Sequence, residues 1–233
     1  MSKPRSIELA FSGKYDRQHA QNYLHKHQDG MARRLSHWRD VQVGRSALRL
    51  AGDPNLVLDL PCGAGRFWPM LAEHPNRVIL AADNSTDMLA TALAGQPPEV
   101  VNRVKTFKTS AFDIALGDNS VDCVFCIRLL HHFQSAEHRL TALREFHRVT
   151  RDSVIVSLWV DGNYKAWRRN RLEKRRGGGE NRFVVRREEI ESEFLEAGFQ
   201  VLGHRDFLPG YAMWRTYVPV SYTHLTLPTS DLV

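Results

Sequence analysis

The stretch VLDLPCGAGRF, residues 57–67, decides the fold of this chain. It begins with apolar residues, reaches the carboxylate of Asp59, and then turns through two spaced glycines, Gly63 and Gly65. Apolar residues followed by a glycine turn predict a buried strand that gives way to a helix. Parallel sheets bind ligands at the carboxyl ends of their strands, so we expect a ligand beside this acid and these glycines.

The segments around this stretch alternate between strand-like and helix-like patterns. Such alternation favours an α/β fold with a mostly parallel sheet and right-handed crossover helices. We predict one or two helices over 15–50, ending near Gly52 and Pro54. The predicted strands cover 56–60, 77–82, 103–108, 121–127, 153–159, 199–207 and 212–218; the later helices cover 67–73, 136–149 and 188–197, with another beginning at Ser85.

Length and composition exclude several classes of protein. The 233 residues are enough for one α/β domain with a buried core. No apolar run approaches the ~20 residues that span a bilayer, and the first residues lack the apolar region of a secretory signal. We therefore expect no transmembrane segment and a cytoplasmic location.

The three cysteines, Cys62, Cys123 and Cys126, are too few for a disulfide framework. Cys123 and Cys126 form a C-x-x-C pair inside a predicted strand. Residues three apart in a strand point to opposite faces, so the two sulfur atoms should diverge. No second cysteine pair is present to complete a ligand set, and we expect no metal site.

Two acids are predicted to lie at the ends of neighbouring strands. Asp59 suits a cationic group such as an ammonium, and Asp83, in VILAADN, suits the two hydroxyls of a ribose. This order and spacing predict a nucleoside-cofactor site. A dinucleotide fold would need a third glycine where Trp68 stands, and Asp59 would repel its pyrophosphate. A dinucleotide-dependent oxidoreductase is therefore disfavoured.

With these motifs the chain resembles the class I S-adenosylmethionine-dependent methyltransferases. LDLPCGAGRF is similar to their first motif, AADNS to their second-strand acid, and DIALGDNSVDCVFCIRLLHHF to the stretch around their fourth strand. The resemblance covers roughly residues 15–219 and implies a three-layer Rossmann-like fold, with a mostly parallel seven-stranded sheet whose last strand is reversed. It also implies S-adenosyl-L-methionine as cofactor and a domain at 55–219, preceded by a helical cap at 1–54 and carrying a basic insertion at 162–187.

The resemblance assigns roles to the positions that match the family's motifs. Asp59 and the backbone of 62–65 would hold the methionine moiety, Asp83 the ribose, and Met88 would pack near the adenine. Thr-Ser-Ala at 109–111 stands where many relatives have Gly-Asp-Ala, so the bond to the adenine amino group would be weaker or come from elsewhere. The candidate cofactor residues are Asp59, Pro61, Cys62, Gly63, Gly65, Asp83, Asn84, Met88, Ser110, Ala111 and Arg128.

His131 and His132 follow the predicted fourth strand and are the candidate catalytic residues. Histidine can take a proton from a hydroxyl or a phenol; alternatively, these histidines fix the loop by hydrogen bonds. The N-P-P-Y motif used for amide or adenine nitrogens is absent after this strand. Pro61-Cys62 follows the first strand and not the fourth, where cytosine-C5 enzymes place their nucleophile, so Cys62 is not expected to be one.

The segment from 165 to 187 is strongly basic, with ten Lys and Arg against two Glu, a net charge of +8. The whole chain carries a formal charge of +6, so the remainder is close to neutral. A solvated face would explain such a run. As a lid, it would bind an anionic group through arginines, with Tyr164 and Trp167 as an amphipathic foot. The candidate substrate residues are Tyr15, Tyr23, Arg168, Arg169, Arg175 and Arg176.

These features favour a methyltransferase that acts on a small-molecule or lipid-linked, anionic acceptor. The alternative is a nucleic-acid-associated, RNA-directed protein of the same fold that uses the basic segment, although no RNA-binding motif accompanies it. The end of the chain, VSYTHLTLPTSDLV at 220–233, resembles the translation of a sequencing adapter. We interpret it as a non-native tail and assign it no function.

Overall fold

The computed structural model of the chain describes residues 30–176 and 182–221, with the side chains of 173–176 outside the described part. The strands there are β1 (Leu56–Asp59), β2 (Val78–Asp83), β3 (Val104–Lys108), β4 (Val121–Cys126), β5 (Thr150–Val160), β6 (Val184–Val185), β7 (Phe199–Asp206) and β8 (Trp214–Ser221). The helices are α1 (Met31–Leu50), α2 (Trp68–Leu71), α3 (Thr86–Gly95), α4 (Pro98–Val101), α5 (Ala136–Val149), α6 (Tyr164–Arg176) and α7 (Arg187–Glu196), with a one-turn 3₁₀ helix at Leu130–His132.

The strands form one sheet in the order β3-β2-β1-β4-β5-β8-β7. The pairs from β3 to β5 are parallel, whereas β8 runs antiparallel to both β5 and β7. This arrangement confirms the predicted α/β fold and its reversed last strand. In addition, β6 pairs with the end of β5; a two-residue strand has no sequence period by which it could be predicted.

Both faces of the sheet are covered, which explains the nearly continuous apolar sequence of β4 and β5. One core contains side chains of α5 and α7, among them Leu143, Phe146 and Phe194. The other contains side chains of α1 and α2, among them Ala47 and Leu71. The carboxyl ends of β1, β2 and β4 are thereby held on a rigid, buried platform.

The two cysteines of β4 lie in different cores. Cys123 belongs to the core beneath α1 and α2, and Cys126 to the core beneath α5 and α7. The strand period therefore predicted their divergence correctly. Burial raises the pKa of both thiols. In the described part of the chain, no group of three or more His, Cys, Asp or Glu side chains could hold a metal ion.

Helix α1 packs directly on the sheet. At Gly44 an added Cβ would lie 2.9 Å from Met70 Sδ and 3.6 Å from the ring of Phe125, so a larger residue there would require the Met70 side chain to shift. The helix ends at Leu50, close to the predicted end, while the predicted helical residues 15–29 lie outside the described ranges. The division into a cap at 1–54 and a domain at 55–219 stays a prediction.

The sequence analysis assigned no secondary structure to the basic segment, and its first half is helix α6. Ala166 is buried, while Tyr164, Trp167 and Arg168 are exposed, so the helix turns only a narrow face toward the protein. The sequence analysis did not identify this helix, because Lys and Arg supply 7 of its 13 residues. None of the helices in the described ranges is long and apolar enough to cross a lipid bilayer.

A buried ion pair joins α5 to α7. Arg139, 2% exposed, donates to both carboxylate oxygens of Glu193 at 2.8 and 2.6 Å, and to Glu189 at 2.6 Å. Arg139 Nη1 also donates to the carbonyls of Phe133 and Gln134, at 3.2 and 3.1 Å. One side chain therefore fixes α7 and the segment that follows the two histidines.

Candidate functional site

Two acids lie side by side at the carboxyl edge of the sheet. Asp59 is the last residue of β1 and Asp83 the last of β2, and both are buried. Asp83 Oδ2 accepts from the backbone N–H of Gly63 and Oδ1 from that of Ser85, each at 3.0 Å. The Cys62 N–H donates to Ala82 O at 2.9 Å. Asp83 thus anchors both the glycine turn and the start of α3.

Asp59 is a buried carboxylate, and one of its oxygens lacks a hydrogen-bond partner among the described residues. Its side chain is 1% exposed, and that oxygen is Oδ2. Burial raises the pKa of Asp59 well above its usual range; the nearby Trp68 indole opposes this shift, and the charge of Asp83 adds to it. An unpaired buried acceptor is costly. A cationic group of a ligand would remove that cost.

The glycine turn has the left-handed backbone that glycine allows. Gly63 has φ 53° and Gly65 φ 71°. A Cβ at Gly65 would lie 2.8 and 2.9 Å from ring carbons of Trp68 and 3.1 Å from Gln96 Cγ. We expected Gly65 to leave room for a ligand, but the space above its Cα is occupied by the fully buried Trp68. Gly65 is therefore required first for packing.

Replacing Gly65 with alanine is expected to destabilise the protein more than the same change at Gly52. Gly52 also has a positive φ, +80°, but nothing lies within 4 Å of its Cβ position. Both variants carry the left-handed strain of about 1–2 kcal/mol, and only the Gly65 variant is also overpacked, at about 1–3 kcal/mol. Urea unfolding of the two variants measures the difference; equal midpoints would contradict the contact with Trp68.

The other candidate cofactor residues surround this edge. Met88 is buried and its N–H donates to the Ser85 hydroxyl at 3.3 Å, whereas Asn84 is exposed. Ser110 and Ala111 are half-buried and follow Thr109, whose N–H donates to Asp83 O at 3.1 Å. Pro61 is half-buried after a cis peptide bond. The structure therefore brings these residues to one edge of the sheet.

Cys62 is buried in the glycine turn, and burial raises the pKa of its thiol. Nearby Asp59 and Asp83 raise it further. The thiolate is the nucleophilic form of cysteine, so this environment suppresses its reactivity. That Cys62 is not a nucleophile stays a prediction.

Arg128 follows β4 and lies in a cleft that the sequence did not indicate. Its Nη2 is 2.6 Å from Asp40 Oδ2, and its guanidinium lies 4.8 Å from the ring centre of Trp214. Arg66 Nη2 contacts the same oxygen of Asp40 at 2.5 Å. The backbone at Arg128 has φ 67°, and its N–H donates to Ser157 Oγ at 2.9 Å. The remaining walls of the cleft are mainly apolar: Val43, Gly44, Phe67, Phe125, Ile127, Phe207 and Thr216.

The sequence analysis missed Asp40, Arg66, Trp159, Arg182 and Trp214. They come from α1, the glycine turn, β5, the chain before β6, and β8. None of them belongs to a recognisable motif. Only the run of basic and aromatic residues after β5 indicated a functional segment, and it did not indicate which residues that segment contacts.

The two histidines lie beneath aromatic and basic side chains. His131 is 3% exposed, with its ring centre 4.0 Å from that of His132, 5.3 Å from Trp159 and 4.7 Å from Trp214. Burial, followed by the charges of His132, Arg182 and Arg128, lowers the pKa of His131 to about 2. The imidazole is therefore neutral at physiological pH, and its Nδ1 has no partner within the described ranges.

Two arginines cover these rings from the basic segment. The guanidiniums of Arg169 and Arg182 lie 5.0 and 5.8 Å from the ring centre of Trp159, and Arg169 Nη2 donates to Arg182 O at 2.9 Å. Trp159 Nε1 is buried without a partner in the part of the chain that the structure describes. The residues His131, His132, Trp159, Trp214, Arg128, Arg169 and Arg182 are called the Arg–Trp–His cluster below.

The remaining candidate substrate residues are not brought together. Arg168 is exposed on the outer side of α6, away from Trp159. Arg175 and Arg176 lie in α6, but their side chains are outside the described part, and Tyr15 and Tyr23 lie outside the described ranges. Of the four arginines suggested by sequence, only Arg169 is seen against the cluster.

Comparison with known proteins places this geometry in context. A family model described as a methyltransferase domain matches residues 57–153. The chain is 32% identical over 136 residues to an uncharacterized methyltransferase of Schizosaccharomyces pombe, covering 56% of this chain and 51% of that protein. It is 25% identical over 151 residues to a tRNA (carboxymethyluridine(34)-5-O)-methyltransferase of Xenopus tropicalis, covering 61% of this chain and 22% of that protein. The chain spans about half or less of these curated relatives.

The fold is similar to solved structures over nearly the whole chain. Magnesium protoporphyrin IX methyltransferase from Synechocystis PCC 6803, in a crystal structure with bound SAH, superimposes with a TM-score of 0.72 at 17% identity. The match covers 91% of this chain and 96% of that one. It extends the likeness of fold beyond residues 57–153.

Proposed function

We propose that this chain, whose residues 57–153 match a methyltransferase-domain family model, is a class I S-adenosylmethionine-dependent methyltransferase that transfers a methyl group from S-adenosyl-L-methionine to an anionic acceptor, either a small molecule or a lipid-linked one. The observation that carries the proposal is the pair of buried strand-end acids beside the glycine turn, with one oxygen of Asp59 unpaired among the described residues.

The residues at the sheet edge fit this cofactor. The unpaired oxygen of Asp59 suits the ammonium of the methionine moiety. Each oxygen of Asp83 accepts one backbone N–H, and a carboxylate oxygen has capacity for another bond, so Asp83 can also accept the ribose hydroxyls. Met88 and Ala111 would supply apolar contact for the adenine. When bound, the cofactor supplies a methyl group activated on a sulfonium.

The Arg–Trp–His cluster supports an anionic acceptor. Arg128, Arg169 and Arg182 bring three guanidiniums to one group of rings at the ends of β4 and β5. Guanidiniums bind carboxylates and phosphates through paired hydrogen bonds. The Trp159 indole N–H, buried and unpaired among the described residues, adds a neutral donor. Arg128 also contacts Asp40 Oδ2 at 2.6 Å.

The state of His131 also favours an acceptor that is already deprotonated. A catalytic base works best with a pKa near the operating pH, whereas that of His131 is lowered to about 2. An anionic oxygen needs no base, since proximity and in-line alignment supply much of the acceleration. We propose that His131 positions the acceptor or the loop, and that His132 is the histidine to test as a base if the acceptor keeps its proton.

Methyl-labelled cofactor incubated with fractions of cell extract tests the proposal. We expect label in acidic small molecules or lipids, released as methanol by mild base if the acceptor oxygen belongs to a carboxylate. The double variant Arg169→Gln/Arg182→Gln should raise the KM of that acceptor about tenfold or more, because charged hydrogen bonds contribute about 1.5–3 kcal/mol. Cofactor affinity, measured by calorimetry, should stay unchanged.

Arg186→Gln is the matched control, since its side chain is 73% exposed and pairs only loosely with Glu189 at 3.5 Å. It should leave the acceptor KM unchanged. If the double variant behaves like this control, the cluster does not bind the acceptor. Absence of cofactor binding in the unaltered protein would instead reject the methyltransferase proposal itself.

An RNA acceptor is the second candidate, supported by the relative named as a tRNA (carboxymethyluridine(34)-5-O)-methyltransferase. A carboxymethyl group is itself anionic, so the cluster suits this acceptor chemistry too. Label found in RNA and removed by ribonuclease would favour the RNA reading. Steep loss of binding with salt would accompany it.

A further inference from the structure

The outer side of α6 and the neighbouring turn at 207–213, between β7 and β8, expose apolar side chains. Tyr164 is 48% exposed, Trp167 57% and Leu172 39% on the helix; on the turn, Leu208 is 46% and Tyr211 47% exposed. Positions 164, 167 or 168, and 171 or 172 lie on one face of a helix. The buried Ala166, and Arg169 against Trp159, define the opposite face.

The helix and the turn form one continuous surface, called the α6–turn face here. The N–H groups of Tyr164 and Lys165 donate to the carbonyls of Gly210 and Tyr211, at 2.9 and 3.0 Å. The rings of Tyr164 and Tyr211 stack with centres 5.7 Å apart and planes 11° apart. These contacts hold the exposed side chains in a fixed arrangement without covering them.

The same face is positively charged. Lys165, Arg168 and Arg171 are exposed among its rings, with Lys165 Nζ 5.2 Å from the ring centre of Tyr211 and the Arg171 guanidinium 5.7 Å from that of Trp167. Residues 162–172 and 207–214 contain no Asp or Glu. The face is therefore complementary to an anionic partner that also accepts apolar side chains.

We propose that the α6–turn face docks on an anionic lipid surface. Exposed Trp, Tyr and Leu side chains interspersed with Lys and Arg are typical of interfacial membrane binding, in which apolar groups enter the headgroup boundary and basic groups meet anionic lipids. Nucleic-acid bases stack on aromatic rings, so the aliphatic side chains of Leu172 and Leu208 would not contribute to binding a nucleic acid. Tyr164 and Tyr211 each give one ring face to the other, which also disfavours base stacking.

Docking would place the Arg–Trp–His cluster next to the lipid. Arg169, on the inner side of α6, covers Trp159, and Phe183, just after Arg182, donates its N–H to His131 O at 2.7 Å. The helix that meets the lipid is thus also the cover of the cluster. The docking itself does not rest on the proposed function, because it needs neither cofactor nor acceptor.

Sedimentation with vesicles tests the docking. The protein should bind vesicles of phosphatidylcholine with 30% phosphatidylglycerol, and bind pure phosphatidylcholine vesicles far more weakly. Arg168→Gln/Arg171→Gln should weaken binding to the anionic vesicles about thirtyfold, from the ordinary contribution of two basic residues near such a surface. Trp167→Ser/Leu172→Ser should also weaken it at least tenfold, because buried apolar area drives insertion.

The matched control is Arg49→Gln/Lys105→Gln, which removes two exposed positive charges from α1 and β3. It should retain the affinity of the unaltered protein. Circular dichroism establishes that each variant is folded. Equal binding to neutral and anionic vesicles, unchanged binding by the Trp167/Leu172 variant, or tighter binding to oligouridylate than to anionic vesicles in the same buffer would each overturn the proposal.

Discussion

Replacing Asp83 with alanine is expected to weaken the binding of S-adenosylmethionine at least about 100-fold. Two hydrogen bonds from the ribose to a carboxylate contribute about 1.5–3 kcal/mol each. The change also removes the acceptor that holds the N–H groups of Gly63 and Ser85, at 3.0 Å each, so the glycine turn would be less fixed. Isothermal calorimetry with the cofactor and its demethylated product measures the effect.

Asp87→Ala is the control for this variant. Asp87 is an exposed acid in the first turn of α3, four residues from Asp83. Its replacement removes the same charge without altering a contact of the glycine turn. We expect it to retain cofactor affinity. Urea unfolding separates lost affinity from lost folding. Equal affinity in the Asp83 variant and the unaltered protein would show that this edge of the sheet does not hold the ribose.

Replacing Arg139 with alanine is expected to lower the free energy of unfolding by about 3–5 kcal/mol, because it leaves a buried carboxylate uncompensated. Glu193, 5% exposed, would lose both of its hydrogen bonds to the guanidinium. The carbonyls of Phe133 and Gln134 would lose their donor as well. Urea unfolding at neutral pH gives the change in free energy.

The same pair of helices provides a matched control. Arg144 of α5 pairs with Glu196 of α7 at 2.7 Å, but their side chains are 58% and 55% exposed. Exposed pairs contribute under about 1 kcal/mol, so Arg144→Ala should change little. A double variant, Arg139→Met/Glu193→Leu, should recover much of the loss, because it removes both buried charges. If Arg139→Ala costs no more than Arg144→Ala, the buried pair is not important for stability.

The local pattern of the sequence predicted most of the sheet. The run at 56–60 became β1, the run at 121–127 became β4, and the last two runs became the antiparallel pair β7 and β8. These segments are apolar on both sides or alternate with period 2, and their glycines and acids mark the strand ends. Helix α6 was missed because Lys and Arg dominate its sequence and most of its large apolar side chains face solvent.

The candidate site was predicted only in part. Asp59, Asp83 and the two glycines were identified because each stands at a strand end or in the turn that follows, where position along the chain fixes position in space. The packing role of Gly65 was not predicted. The space beside its Cα is filled by the ring of Trp68, and the position of that ring depends on how the turn folds back. The burial of His131 could not be foreseen either, because Trp159 and Trp214 come from other strands.

By itself, the sequence determined the strand–turn–helix order, the strand-end acids and the divergence of Cys123 and Cys126, because these follow from local periodicity and chain direction. Only the tertiary structure decided which distant charges meet. Arg128 and Asp40 are 88 residues apart, and Arg139 and Glu193 are 54 apart, yet each pair is in contact. Such pairings depend on strand order and helix packing, which bring residues together without leaving a mark in the sequence around either partner.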